Sequence, residues 1–321
     1  MAEPPALQAL IKSINFYGRF APSFTRIGYI GRGLPFRSVR GDYTGQTWMV
    51  TGATGGLGRA TTLRAVAKGA TVLAVGRNVA GLESLRSEAG ALKGSVVPVV
   101  CDLSSMSAVS SLPDHPQLQG VGLDVLVNNV GLLMRDFGTT QEGLEISYAT
   151  NLLGHFIMTE ALKARGMIKS GAAIINVVSG GLYNMPLNTR ALNMRAEHFN
   201  GFAAYATHKR AQITLGEHWR EAFSDLGVKT YAVHPGWADT DGVKTSLPKF
   251  RKILAPILRN AHEGSDTIDW LAASRPAEVT DEVWFDRKPR SAHAYPHTRN
   301  PRTQPADLLS YLENDRRRLV G

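Results

Sequence analysis

The sequence predicts an α/β protein: a single doubly wound parallel sheet of about seven strands with helices on both faces. Short apolar runs alternate with segments of helical period from Gly45 to Asp286, and parallel strands need crossover connections of this kind. A glycine-rich turn joins the first apolar run to the first helical segment, the place where such sheets bring backbone against a ligand. Hydrophobic residues make up 43% of the 321 and charged residues 20%, the balance of an ordinary globular chain.

A basic arm comes first. Residues 1–45 hold Lys12, Arg19, Arg26, Arg32, Arg37 and Arg40 against Glu3 and Asp42, interleaved with Phe16, Tyr17, Phe20, Phe24, Tyr29, Phe36 and Tyr43. Rings and cations together suit peripheral contact with a membrane surface. Glycine and proline break any long amphipathic helix there, so the arm is expected to pack on its own domain or on a second subunit of a homo-oligomer. The domain occupies 46–290. Strands are expected at Trp48–Thr51, Thr71–Val75, Val96–Cys101, Asp124–Val127, Ala173–Val178, Val228–Val233 and Glu282–Asp286. Helical segments are expected at Leu57–Lys68, Ala80–Ala89, Leu144–Ala164, Ala204–Phe223 and His262–Ala272. Residues 291–321 form a basic tail.

The net charge of +9 belongs to the two ends, because residues 46–286 carry equal numbers of acids and bases. A nucleic-acid partner would need a basic face on the domain, so none is expected. The single Cys101 excludes a disulfide framework and a thiolate-rich zinc site, and no metal is expected. No uncharged apolar run of about 18 residues occurs, and the first residues lack a secretory pattern. An intracellular, cytoplasmic setting is expected.

The turn reads Thr51-Gly-Ala-Thr-Gly-Gly-Leu-Gly58. Glycines allow a tight bend and close backbone approach to a pyrophosphate, whose charge the following helix N-terminus favours. Gly52, Thr54, Gly55, Gly56, Leu57 and Gly58 are the candidate dinucleotide contacts. The second strand ends Val75-Gly76-Arg77-Asn78, with no acid to bind a ribose 2′-hydroxyl. Arg77 is the candidate fork for a 2′-phosphate, which selects NADP(H) over NAD.

Tyr205 and Lys209 stand four residues apart, hence on one face of a helix. An ammonium beside a phenol stabilises the phenolate and turns a weak acid into a proton shuttle near neutral pH. The pair alone is a common accident. Its company is not: Asp102-Leu103 follows the third strand, Asn128-Asn-Val-Gly131 the fourth, Ser179 the fifth, and Pro235-Gly236 with Thr240 the sixth, with Asn151 between.

Taken in this order, these motifs resemble the short-chain dehydrogenase/reductase family, a Rossmann-type fold, over about Gly45 to Asp286. Gly55 also completes the glycine spacing of the extended subfamily, but Asn-Asn-Val-Gly and the Pro-Gly turn resemble the non-extended one. The resemblance implies that Ser179 hydrogen-bonds the substrate oxygen and Tyr205 exchanges a proton with it. It implies that Lys209 lowers the Tyr205 pKa and holds the nicotinamide ribose, while Asn151 positions a relay water. Asp102 and Leu103 would border the adenine, Asn129 and Gly131 its ribose, and Thr240 the carboxamide, with Pro235 and Gly236 among the cofactor contacts. Asn128 is expected to tie strands together, and His208 to be structural. Val130 replaces the family's commoner alanine, and the long gap from Ser179 to Tyr205 resembles the retinol- and lipid-active members.

Residues 241–262 correspond to the family's lid, with Leu247, Phe250, Ile253, Leu254, Ile257 and Leu258 at helix-like spacing among Lys249, Arg251, Lys252 and Arg259. Pro256 is expected to kink or divide it. An apolar carbonyl or alcohol is the expected substrate. The alternative is a catalytically idle NADP-binding regulator or membrane-surface scaffold, against which Ser179, Tyr205 and Lys209 all stand. Since the domain holds every motif, the arm is expected to be dispensable for folding and chemistry.

Overall fold

The computed structural model describes residues 16–321 apart from positions 35, 37 and 247, with the side chains at 241 and 249 also outside the description. The expectations for Lys12, Arg37, Leu247 and Lys249 therefore fall outside it. Its sheet contains β1 (Thr47–Thr51), β2 (Thr71–Gly76), β3 (Ser95–Val100), β4 (Leu123–Asn128), β5 (Ile168–Val177), β6 (Lys229–Val233), β7 (Glu282–Phe285) and β8 (Lys288–Ser291). The spatial order is β3-β2-β1-β4-β5-β6-β7-β8. All pairs are parallel except β7 with β8. The order reverses between β1 and β4, so a crevice opens at their carboxyl ends, where ligands of open α/β sheets bind.

Helices cover both faces because each inner strand is apolar on both sides. Trp48 and Val50 of β1 join one core with α3 (Gly56–Ala67), α4 (Val79–Ala89) and α11 (Ala261–Ser274). Met49 joins the other core, built from α5 (Met106–Ser110), α7 (Gly154–Ala164), α8 (Gly201–Ala222) and α12 (Pro305–Val320). No helix among the described residues is long and apolar enough to cross a membrane.

The structure adds to or departs from the expectations at several places. The sheet has eight strands. β8 reads Lys-Pro-Arg-Ser with all four residues exposed, an edge strand with no apolar periodicity to announce it. Asp286 and Arg287 turn the β7–β8 hairpin with φ of 49° and 57°, the left-handed pair that matches strand twist. The expected helix over 144–164 is instead divided into α6 (Ile146–Tyr148), a π-helical turn at Ala149–Leu153 and α7.

The lid likewise comprises α9 (Asp241–Ser246), α10 (Pro248–Leu254) and a 3-10 turn at Ala255–Ile257. Pro248 opens α10 at the position that tolerates proline, while Pro256 sits in the 3-10 turn. The tail is no loose end: Leu308 and Leu312 of α12 are fully buried, and Tyr148 donates to Asp315 at 2.8 Å. Its arginines are answered within the helix, Arg316 and Arg317 by Glu313 and Arg318 by Asp315.

The arm packs on its own domain, but as part of the core. It contains α1 (16–24) and α2 (Arg26–Gly33). Phe20 and Phe24 of α1 bury against Val178, Leu182, Tyr183, Ile213, Val283 and Phe285. From α2, Arg32 Nε donates to Asp286 at 2.8 Å, and Arg259 holds the same carboxylate through Nη1 at 2.7 Å and Nη2 at 3.0 Å. This packing weighs against the expectation of a dispensable arm. A sequence scan counts motifs, and Phe20, Phe24 and Arg32 belong to none.

Candidate active site

The turn after β1 is shaped by what glycine alone permits. Gly52 has φ +66° and Gly56 +49°. A Cβ on Gly58 would overlap the Gly52 carbonyl oxygen and lie 2.6 Å from Asn129 Nδ2. Gly55 is the N-cap of α3 with no side-chain hydrogen bond, and no acid stands in the first turn. The first amides of α3 are thus left to an anion.

Asn129 Nδ2 donates to the Thr51 carbonyl at 2.8 Å, fixing the Asn129–Gly131 segment beside the turn. Thr54 leans on Gly76 and Gly81, while Leu57 turns into the core and meets Gly264 of α11. Thr240 lies over Gly56, 3.1 Å from where its Cβ would stand, so it borders the pyrophosphate end of the cleft.

At the tips of β2 and β3, Arg77 and Asp102 face each other with Nη1–Oδ2 3.7 Å, and the Arg77 side chain is 67% exposed. Asp102 Oδ1 also accepts from Ser104 N at 2.9 Å. The Leu103 side chain is buried in the core, and its carbonyl packs against Gly154 of α7, where a Cβ would overlap it. Asn128 Nδ2 donates to Asn176 Oδ1 at 2.9 Å across β4 and β5, the strand tie expected of it.

The catalytic candidates meet at the carboxyl end of β5. Asn200 caps α8 by accepting from Ala203 N at 2.9 Å, which starts the helix in time to put Tyr205 and Lys209 on its inner face. Ser179 caps the 3-10 turn Gly180–Asn184, its hydroxyl accepting from Gly181 N at 3.5 Å. Burial raises the Tyr205 phenol above its ordinary range and the neighbouring Ser179 hydroxyl pulls it back. Lys209 Nζ sits 5.6 Å from the Tyr205 ring centroid and donates to the Val177 carbonyl at 2.7 Å. Burial lowers Lys209 to about 7. The expected direction for Tyr205 is thus reversed in the free protein, because desolvation acts on both groups against their charged forms.

Gly131 lies against this pair, a Cβ there falling 3.2 Å from Lys209 Nζ. Asn151, mid-turn in the π segment, has its amide fastened to the next residue: Oδ1 accepts from Leu132 N at 2.7 Å and Nδ2 donates to Leu132 O at 2.8 Å. Its carbonyl accepts from Gln212 Nε2 at 2.8 Å and His155 Nδ1 at 3.2 Å. Asn151 here is a strut that holds residues 131–132 on Lys209.

His155 and Gln212 are the residues sequence reasoning missed. A carbonyl only accepts, so His155 carries its proton on Nδ1 and offers Nε2 to the Thr51 hydroxyl at 3.2 Å. Burial, then the Lys209 charge, push His155 down to about 3, so it stays neutral. Thr51 Oγ1 in turn accepts from Asn129 N at 2.9 Å. The spacing of four between Asn151 and His155 was the available signal. His208 is buried as a structural residue, donating from Nε2 to Leu192 O at 2.8 Å.

Beyond β6, Gly236 N donates to His234 Nδ1 at 2.9 Å, and Arg259 Nη1 to Pro235 O at 3.4 Å. His234 therefore carries its proton on Nε2, which is buried without a hydrogen-bond partner. The ring of Phe24 packs T-shaped against the imidazole, centroids 4.4 Å apart and planes at 72°, a cover supplied by the arm. Together these features fit a nicotinamide dinucleotide: uncapped amides for the diphosphate, and a buried ammonium with one protein acceptor for ribose hydroxyls.

Comparisons with known proteins identify the family. The short chain dehydrogenase family model matches residues 46–249. Human dehydrogenase/reductase SDR family member 12 is 32% identical over 291 residues, 89% of this chain and 91% of that protein. Human retinol dehydrogenase 12 is 29% identical over 263 residues, 81% of this chain and 83% of its own. A short chain dehydrogenase from Burkholderia cenocepacia, solved in complex with NADP, superposes with a TM-score of 0.59 at 22% identity, covering 73% of this chain and 92% of that one.

Proposed function

Since the chain belongs to the short-chain dehydrogenase/reductase family of oxidoreductases, we propose that it is an NADP(H)-dependent enzyme acting on a carbonyl or alcohol of an apolar small molecule. The observation that carries the reading is the meeting of Ser179, Tyr205 and Lys209 beside an uncapped glycine turn. A nicotinamide bound there would supply the hydride for the carbonyl carbon. Tyr205 gives its phenolic proton to the carbonyl oxygen, and the Ser179 hydroxyl holds that oxygen by a hydrogen bond. Lys209, once charged, stabilises the phenolate left behind. Asn151, fixed by Gln212 and His155, keeps the 131–132 backbone on Lys209.

Two features support NADP(H) over NAD(H): Arg77 projects from the end of β2, and that strand tip has no acid. Asp102 beside Arg77 would have to yield it to a 2′-phosphate. An apolar substrate is supported by Trp237 and Phe250, which pack on each other between the Pro-Gly turn and the lid.

The test is NADPH consumption over retinoids, steroid ketones, fatty aldehydes and quinones, repeated with Tyr205→Phe on whatever is turned over. Removing the hydroxyl should cut turnover by about 10²–10⁴-fold and barely change NADPH affinity. Retained turnover in Tyr205→Phe would sink the mechanism. A wild-type chain that binds NADPH and reduces nothing would favour the idle binder.

A further inference from the structure

The lid is tied down by residues that are none of the catalytic candidates. Ser246 of α9 donates its hydroxyl to Leu133 O at 2.6 Å, and Arg135 Nε donates to Ser246 O at 3.2 Å. Those contacts sit next to Leu132, the residue clasped by Asn151. Arg251 of α10 reaches back to Asp239 through Nε at 2.7 Å and Nη2 at 3.1 Å.

A further contact is with the arm. Phe250 of α10 lies 5.6 Å from Tyr17 of α1 and 5.3 Å from Trp237, ring centroid to ring centroid. Tyr17 and Trp237 close the triangle at 5.6 Å and 62°, with Phe16 at 6.4 Å from Trp237. All of these separations fall within the range where aromatic rings attract each other.

Trp237 is also held through its backbone. Its N–H donates to the Phe24 carbonyl of α1 at 2.8 Å, and its carbonyl accepts from Arg259 N at 2.8 Å. Arg259 in turn reaches the Phe24 carbonyl with Nε at 3.0 Å. Trp237 directly follows Gly236, so the arm grips the segment that leaves the Pro-Gly turn and, through the same rings, the helix that covers it. Phe20 and Phe24 are buried and anchor α1, whereas Tyr17 is 38% exposed and spans the gap to the lid. Burying one edge of Tyr17 adds little to the core, and its place is explained by what it touches.

We propose that α1 is the seat on which the substrate lid closes, with Tyr17 against Phe250 and Trp237 as the closing contact, so that Tyr17 is a positioning residue for apolar substrates. This rests on the proposed carbonyl chemistry only for its last clause. The seat itself is a property of the free protein. Lid closure of this kind excludes water and completes the substrate wall, so a loosened seat weakens substrate capture before it affects proton transfer.

Hydrogen–deuterium exchange on the full chain, with and without NADPH, tests the seat without any substrate. Tyr17→Ala should raise exchange in residues 241–258 at least about threefold and leave β1 to β5 unchanged, while Tyr17→Phe keeps the wild-type pattern. Phe250→Ala should do the same from the lid's side, and the double variant should add nothing further. Ile30→Ala, on the exposed side of α2, is the control expected to change nothing in the lid. Unchanged lid exchange in Phe250→Ala, or in Tyr17→Ala with α1 still protected, overturns the proposal.

With NADPH and decanal as probe, Tyr17→Ala should raise KM severalfold with kcat little changed, and propanal should be unaffected. An equal effect on both aldehydes would also overturn the positioning role. Failure of the wild-type chain to bind NADPH would count against the proposed function instead, and the exchange result would stand apart from it.

Discussion

On the β1 side of the cleft, the surface is backbone: a turn of glycines, the free amides of α3, and a strand tie from Asn129 to Thr51. On the β6 side, it is side chains brought from far apart in the sequence. Phe24 covers His234, Arg259 spans Ser23, Phe24, Pro235 and Asp286, and Tyr17 meets Phe250. The first half depends on which residues are small; the second depends on which large ones meet. A cofactor shared by many proteins needs the first kind of wall, and a substrate particular to one protein needs the second.

The largest expected effect falls on the second half. A chain beginning at Asp42 loses Phe20, Phe24 and Arg32 together, leaving His234 and Asp286 uncovered. Each buried phenylalanine alone is worth about 3–5 kcal/mol. Against a total of about 5–15 kcal/mol for a folded domain, the truncated chain should be largely unfolded by circular dichroism and urea titration. A stable, NADPH-binding truncation would return the arm to the status of an accessory.

Arg259→Ala comes next. Arg259 and Asp286 have side chains each 1% exposed, and the variant leaves a buried carboxylate with Arg32 as its remaining ion-pair partner. Breaking one partner of a buried pair costs about 3–5 kcal/mol. Arg165→Ala, which removes an ion pair to Asp114 with side chains 59% and 54% exposed, should cost at most about 1 kcal/mol. Equal losses in urea unfolding would erase the distinction between the two kinds of contact.

The same contrast explains what was legible in the sequence. Glycines at fixed offsets, an Asn-Asn pair after a strand, and Tyr and Lys four apart are constraints on neighbours, and neighbours can be read. Strand β8 could not be read, since Lys288, Pro289, Arg290 and Ser291 are held only at one edge and carry no apolar alternation. The arm's aromatics were visible, but composition cannot say that Phe24 meets a histidine 210 positions away, in a ring contact of 4.4 Å. The direction of the Tyr205 shift was missed because a pairwise argument from Lys209 leaves out the burial of both groups.

A smaller effect belongs to the cofactor half. Arg77→Ala should weaken NADPH binding by about 1.5 kcal/mol, roughly tenfold in Kd, and leave NADH unchanged. The low end of the range for charged hydrogen bonds applies because Arg77 is largely solvated and already faces Asp102. Fluorescence titration with both cofactors measures it, and equal weakening of the two would remove Arg77 as the reader of the 2′-phosphate.

The finest test concerns a single proton. Burial lowers Lys209 from 10.5 to about 7, so in the free protein near pH 7 the ammonium and amine forms are comparably populated. For stability the sign is fixed: between the two values the unfolded chain holds the extra proton. The free protein therefore gains stability as pH rises from about 7 toward 10.5 and loses it as pH falls back through 7. Cofactor binding runs the other way. Ribose hydroxyls and a polyanion favour the charged ammonium, so the Lys209 pKa rises on binding and the complex takes up a proton above pH 7. NADPH affinity should then fall with rising pH, by up to about tenfold per unit inside that window. Calorimetry at pH 8 in two buffers of different ionisation enthalpy should show uptake approaching one proton, and Lys209→Met should abolish it. Zero uptake by the wild-type chain would mean that Lys209 is already charged in the free protein. The phenolate would then be supported before the cofactor arrives, and the backbone-built half would be no more dependent on its ligand than the half built from side chains.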